Sequence, residues 1–334
     1  MDGDISTKFD SKHQRWDELD HRLLQALEVD GRAPFSRLAS HLGVSDQTIA
    51  RRYRRLAAEI GLRVVAVRDA ERLGQTWVLR LRCAPDAANA LSRALARRID
   101  TAWIALTSGG TEVVCAIRFR TRGEHEEMIL GKLPRTPSIM EIRAHQILWR
   151  FFGGANSWLA KHLPEAATDF PASRDSAPLP PEPISPEDEP LVRALEKDGR
   201  ATLAELRRAT GHSEAALRHR LDRLLTTGSL YIDVQYDQAV LGGTVRAILW
   251  ITAAPAALDQ VGRALAVHPE VTFAGAMAGS CNLMAFINCR DSTAMYRYLS
   301  VTLGSLEGVQ HVETAPVLRL VKQLTYDEHA PSEQ

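Results

Sequence analysis

Charge of one sign is what this chain lacks most plainly: 41 Lys and Arg stand against 41 Asp and Glu, a formal net charge of zero. A polyanion gains nothing from the chain as a whole, so nucleic-acid contact has to come from a local patch. Long apolar runs are missing too. A membrane-spanning helix needs about 20 apolar residues, and the most apolar stretch, AILWITAAPAAL, is broken by Thr252 and Pro255. The opening MDGDISTKFDSKHQR has no apolar centre of the secretory kind. The expectation is a soluble, cytoplasmic protein with no membrane partner. Cysteine is scarce: Cys83, Cys115, Cys281 and Cys289 form no CxxC pair and have no pair of histidines nearby. That spacing speaks against a metal site or a redox motif and for small buried thiols.

What is present is material for more than one core, 45% hydrophobic and 25% charged over 334 residues, and a repeat. Residues 26–33 read ALEVDGRA and residues 194–201 read ALEKDGRA. Continuing the match pairs Leu23 with Leu191, Leu38 with Leu206, Gly43 with Gly211, Ser45 with Ser213, Ile49 with Leu217 and Leu56 with Leu224. After a two-residue shift, Arg93-Ala94-Leu95-Ala96 meets Arg263-Ala264-Leu265-Ala266, and Gly109 meets Gly279. A repeat of roughly 150 residues is domain-sized, far beyond a solenoid period. Between the copies, Pro164, Pro171, Pro178, Pro180, Pro181, Pro183 and Pro186 interrupt a stretch poor in apolar residues, which reads as a stiffened linker.

Within the first copy, Leu23, Leu24 and Leu27 mark one helix face, and Gly31 after Asp30 suits a left-handed terminating residue. A second helix is expected over Pro34 to Leu42. Gly43 then turns the chain, Ser45 caps a third helix, and Ile49, Tyr53 and Leu56 give that helix one buried stripe. Three short helices with a glycine turn before the third follow the helix-turn-helix plan. Downstream, strands over 78–83, 102–107, 113–119 and 139–148 alternate with helices over 86–98 and 124–133. The order βαββαβ predicts a ferredoxin-like sandwich, so the fold class is α+β, a tandem duplication of helix-turn-helix plus βαββαβ.

WDELDHRLLQALEVDGRAPFSRLASHLGVSDQTIARRYRRL followed by TSGGTEVV and RAHQILWRFF, with EDEPLVRALEKDGRATLAELRRATGHSEAALRHRLDRL and AGSCNLMAF in the second copy, resembles the Lrp/AsnC (feast/famine) family of transcriptional regulators. The resemblance implies a winged or helix-turn-helix domain that binds double-stranded DNA, and a RAM or AsnC-type domain that dimerises and takes a small effector, often an amino acid. On that plan the chain divides into a flexible tail 1–15, helix-turn-helix 16–63, RAM domain 64–155, Pro-rich linker 156–185, helix-turn-helix 186–232, RAM domain 233–326 and tail 327–334. One chain then carries both protomers of a dimer, an internal pseudo-dimer that reads DNA at the nucleoid and forms homo-oligomers through its RAM domains.

The copies diverge where function is expected. Residues 19–63 hold eight Arg against five acidic residues, whereas residues 187–231 hold eight basic and eight acidic. Each phosphate neutralised releases counterions, so the first unit is expected to grip DNA more tightly. Its candidate contacts are Ser45, Asp46, Gln47, Thr48, Arg51, Arg52, Arg54 and Arg55; Gln suits adenine and Arg suits guanine or phosphate. In the second unit Ser213, Arg218, His219 and Arg223 remain, beside Ala215 and Ala216. The resemblance also implies an effector turn of the pattern G-x-x-D. Here the turns read Gly109-Gly110-Thr111-Glu112 and Gly279-Ser280-Cys281-Asn282. They either serve the sheet alone or form an effector site of Gly109, Thr111, Glu112, Gly279, Ser280 and Asn282, with Glu112 the carboxylate for an ammonium group. His145 and Trp149 read as sheet-packing residues. No nucleophile triad, phosphate loop, metal set or cofactor motif emerges. The alternatives are an enzyme like the siroheme decarboxylases, whose SHCY-like and WPYN-like segments are missing, and a ligand-sensing assembly protein with one idle DNA-binding unit.

Overall fold

The computed structural model describes residues 16–68, 76–84, 86–119, 123, 126–153, 170, 182–236 and 245–324. The expected tails, 1–15 and 327–334, lie outside the described residues, as does the linker 156–185 apart from 170 and 182–185. Helix α1 (Glu18–Val29) opens with a capping box: Asp17 accepts from the Asp20 amide at 3.0 Å, and Asp20 from the Asp17 amide at 3.2 Å. Leu23, Leu24 and Leu27 are fully buried. Helix α2 (Phe35–Leu42) ends at Gly43 in the left-handed region, and α3 (Asp46–Ile60) is capped by Ser45, which accepts from the Thr48 amide. Gly31 departs from expectation. It is not left-handed; it is required by space, since a Cβ there would lie 2.8 Å from Ile232 Cγ2 and 2.9 Å from Val64 Cγ1.

Those two neighbours belong to strands that sequence reading missed. β1 (Arg63–Arg68) and β6 (Leu230–Gln235) each follow a third helix and pair antiparallel with one another, Val65 opposite Asp233. The second copy supplies α5 (Glu189–Lys197), α6 (Leu203–Thr210) and α7 (Glu214–Thr226), the last capped by Ser213.

β2 (Thr76–Cys83), α4 (Ala88–Ala96), β3 (Thr101–Thr107), β4 (Glu112–Arg118), a π-helical turn at Glu127–Lys132 and β5 (Ile139–Phe152) make the first βαββαβ unit. β7 (Val245–Ala253), α8 (Leu258–Val267), β8 (Val271–Ala278), β9 (Leu283–Cys289), α9 (Ser292–Arg297) with its π-helical continuation, and β10 (Val309–Gln323) make the second. All eight strands close one barrel in the order β10-β3-β4-β2-β5-β8-β9-β7. Exchanging every strand for its counterpart returns the same cyclic order. β5 and β10 run 14 and 15 residues, well past the usual 5–6 or so. Each spans two units: β5 pairs with β2 up to Gln146 and with β8 from there on, and β10 pairs with β7 through Pro316 and with β3 from Val317. Val78, Val114, Ile147, Ile248, Trp250, Met277 and Met284 pack inside the barrel. The four cysteines are buried. Trp149, expected to pack on the sheet, is 61% exposed on β5.

Candidate nucleic-acid interface and ligand cavity

Helix α3 turns Ile49, Leu56 and Ile60 inward. Gln47, Arg51 and Arg54, at spacings of four and three, form an exposed stripe on its other side, with Ser45 and Asp46 exposed at its start. Thr48 is half-buried and its hydroxyl lies 2.9 Å from Ser45 Oγ. The expected cluster of cations splits by side. Arg51 and Arg54 project outward, while Arg52 hydrogen-bonds Asp17 at 2.6 Å and the fully buried Asp20 at 2.8 Å, and Arg55 also pairs with Asp20. Burial would raise the Asp17 carboxyl, but the Arg52 hydrogen bond and charge hold it below its usual value. Arg52 and Arg55 therefore brace α3 against α1 rather than standing free for phosphates.

The second unit repeats the brace with Asp188, which takes Arg220 at 2.9 Å and also Arg223, while Arg223 reaches Glu182 at 3.0 Å. Arg223, expected near the DNA backbone, is thus held within its unit. Arg218 and His219 are exposed. The positions matching Gln47, Arg51 and Arg54 are Ala215, His219 and Asp222, so the outward stripe carries a carboxylate where the first unit carries a guanidinium.

At one barrel end lie the two expected effector turns. Glu112 is buried, and its carboxylate accepts from Arg80 Nε at 2.7 Å, Thr107 Oγ1 at 3.0 Å and Ser108 Oγ at 3.1 Å. Arg80 continues to Glu313 at 2.9 Å and lies over the Trp250 ring at 4.4 Å. Both Glu112 oxygens are committed, which removes it as a free carboxylate for an ammonium ligand. Asn282 is engaged as well, pairing with the Ala253 backbone through both amide atoms at 2.8 Å. Gly279 sits against the buried His145 ring, where a Cβ would come within 2.1 Å of Nδ1, and His145 stacks on Trp250 at 5.6 Å. Burial, with Arg80 and Arg143 nearby, lowers the His145 pKa. Thr111 Oγ1 donates to the Ser108 carbonyl at 2.9 Å; Gly109 and Ser280 are exposed. The carboxylate and the amide of these two turns are thus engaged within the protein.

The opposite barrel end, beneath β6, holds a cavity of about 230 Å³. Trp103, Phe273 and Phe286 line one part of it and Thr76, Arg118, Asp233 and Asn288 another. Trp103 and Phe286 meet edge-on at 4.0 Å. Thr76 Oγ1, Arg118 Nε and both amide atoms of Asn288 are buried without a hydrogen-bond partner. Each such atom costs about 1–3 kcal/mol when left unsatisfied, so their convergence on one cavity marks a place built for a polar occupant. Asp233 is pushed up to about 7 by burial, helped by Glu28 and opposed by the Val234 amide, Arg118 and Arg150. Sequence reading missed this site. The available signal was a polar residue in otherwise apolar strands, Asn288 in LMAFINC and Asp233 in LYIDVQ.

Family models match two parts of the chain. The AsnC-type helix-turn-helix domain matches residues 17–57, and the Lrp/AsnC ligand binding domain matches residues 246–326. The chain carries an AsnC-type helix-turn-helix domain and an Lrp/AsnC ligand binding domain. Among curated Lrp/AsnC-like relatives, the HTH-type transcriptional regulator FL11 of Pyrococcus furiosus is 26% identical over 139 residues, 41% of this chain and 91% of the relative. The HTH-type transcriptional regulator LrpA of Pyrococcus horikoshii is 26% identical over 140 residues, 42% of this chain and 99% of the relative. Over the whole length, the crystal structure of the siroheme decarboxylase NirDL superposes with a TM-score of 0.61 at 13% identity, covering 92% of this chain and 94% of that one. That likeness is one of fold. Among the described residues no helix is long and apolar enough to cross a membrane.

Proposed function

We propose that this chain is a sequence-specific transcriptional regulator, not an enzyme, that acts in the cytoplasm as an internal pseudo-dimer, helix-turn-helix units 16–63 and 186–232 over RAM domains 64–155 and 233–326. The observation that carries the reading is the pairing of β1 with β6, which joins two capped recognition helices into one body above one barrel. Two readers fixed on a common two-fold suit a two-part operator in double-stranded DNA. Because the outward stripe is Gln47-Arg51-Arg54 on one side and Ala215-His219-Asp222 on the other, the operator is asymmetric, one half-site read closely and the other loosely. The names of the relatives support regulation. An effector modulates the binding, and chains associate further through the RAM domains.

Selection of bound fragments from random genomic DNA, followed by protection mapping, tests the reading. One strongly constrained half-site beside a weak one supports it; two equal mirror-image half-sites contradict it. The enzyme reading draws on the NirDL fold alone. A cavity of about 230 Å³ falls short of the roughly 300–1,000 Å³ that drug-sized ligands occupy, and a tetrapyrrole is larger still.

A further inference from the structure

We infer that the cavity beneath β6 binds one small organic carboxylate with an apolar body per chain, on the axis that relates the two halves. The binding claim stands on the cavity; only its effect on DNA rests on the regulator reading above.

Four observations lead there. Arg118 Nε and the Asn288 amide are both orphaned at the cavity, which gives a cationic donor and a neutral donor-acceptor pair for the two oxygens of a carboxylate. Trp103 and Phe286 supply an apolar wall that inorganic phosphate would leave unused. Counterpart positions meet across the cavity: Arg118 corresponds to Asn288, and Trp103 to Phe273, under the same shift that matches Gly109 to Gly279. A dimer of identical chains would place two arginines or two asparagines there. The fused chain places one of each, and Arg150 and Arg246 line the cavity as well. Finally, the roof is β6 itself, through Asp233, and β6 is the strand that holds the two DNA-binding units together. An occupant touches that joint directly.

This location differs from the turns of Glu112 and Asn282, whose polar atoms are already satisfied by the protein. Filling the cavity satisfies atoms that the fold leaves bare.

Calorimetry and thermal melting of the full chain with phenylacetate, 4-methylpentanoate, neutral phenylacetamide and inorganic phosphate test the inference. The expected result is one equivalent of at least one carboxylate per chain with a raised Tm, and binding of its neutral or apolar-free counterpart at least about tenfold weaker. Arg118→Met should weaken carboxylate binding by a similar factor. Should that variant fail to fold, Asn288→Asp places a negative charge against the ligand and should abolish binding while the far-ultraviolet spectrum is kept. No response to either carboxylate at millimolar concentration, equal affinity for acid and amide, preference for phosphate, or two equivalents per chain would overturn the inference. A chain that binds the carboxylate yet retains no DNA sinks the regulator reading and leaves the site standing.

Discussion

Arg32 and Arg200, the arginines of the two DGRA segments, reach across to each other's backbone. Arg32 donates to the carbonyls of Gly199 and Ala201, the latter at 3.0 Å, and Arg200 to those of Gly31 and Ala33, the latter at 2.8 Å. The duplicated octapeptide is therefore a reciprocal clasp, and each copy supplies the surface the other grips. The clasp is not wholly symmetric: Arg200 also lies over the rings of Phe35 and Tyr53, at 4.6 and 5.5 Å, where the second copy has Leu203 and Leu221. Burial beside those rings lowers the Arg200 pKa.

The tightest part of the clasp is glycine. A Cβ at Gly199 would stand 2.9 Å from the Val64 carbonyl oxygen and from the Val65 backbone. Backbone cannot swing aside as a side-chain tip can. Gly199→Ala is expected to cost about 1–3 kcal/mol, read as a lower denaturation midpoint, and to loosen the β1–β6 joint. Gly43→Ala is the control: its left-handed backbone makes it strained, yet nothing lies within 4 Å, so it should leave the joint intact. Equal protection of the β1 and β6 amides in hydrogen exchange of the Gly199→Ala variant and the wild type would count against the clasp.

The cations of α3 divide into braces and readers, and salt tells them apart. Arg52→Ala removes one of the two arginine partners of the buried Asp20 and should lower stability by about 1–3 kcal/mol. Arg54→Ala touches no acid and should leave the melting curve in place while reducing the slope of log affinity against log salt by roughly one. If Arg52→Ala instead lowers the slope without lowering stability, the brace assignment is wrong.

Reading strength should differ between the units. Arg51→Ala is expected to weaken operator binding more than Arg218→Ala, by about 1 kcal/mol or more, as measured by titration at fixed salt. Asp222→Arg should strengthen binding, because it puts a cation where the first unit has Arg54. Equal losses for the two alanine variants would mean the charge difference has no bearing on recognition.

How much of this was legible beforehand depends on which force fixed each feature. The helices, their caps and the order βαββαβ follow from local periodicity and from Ser45, Ser213 and the glycine turns, so they could be read from sequence. β1 and β6 could not, since each is a short apolar run whose partner strand lies in the other copy. The fate of charges was equally hidden. Arg51 and Arg52 are neighbours in sequence, and only the 3.6-residue turn of α3 sends one outward and the other to Asp20. In the sequence Glu112 suits a sheet turn and a ligand carboxylate equally, because its internal partner, Arg80, comes from a different strand. Pairs on the axis explain why duplication mattered: Val65 faces Asp233, and Arg80 faces Trp250, each at matching positions of the two copies. Identical chains would oppose like with like. Fusion lets the halves become complementary.

Asp233 carries that divergence into a pH dependence. Its counterpart is Val65, and its surroundings hold Glu28, which raises its pKa, with Arg118 and Arg150 lowering it; burial dominates and sets it at about 7 against a usual 3.8. The acidic form is thus favoured in the fold. Below about pH 4 the group is protonated in folded and unfolded chains alike and its contribution to stability is fully present. Between about pH 4 and 7 the unfolded chain gives up a proton that the folded chain keeps, so that contribution drains away as pH rises, by at most roughly 4 kcal/mol above pH 7. Asp233→Asn keeps the shape and an oxygen for the Val234 amide, which now donates to Asp233 at 2.7 Å, and has nothing to ionise. Urea unfolding at a series of pH values should show the variant close to the wild type near pH 4 and more stable than it at pH 8. The difference between the two curves isolates this residue from every other titrating group. A variant that is no more stable at pH 8 would mean that Arg118 and Arg150 already hold Asp233 as a carboxylate at ordinary acidity.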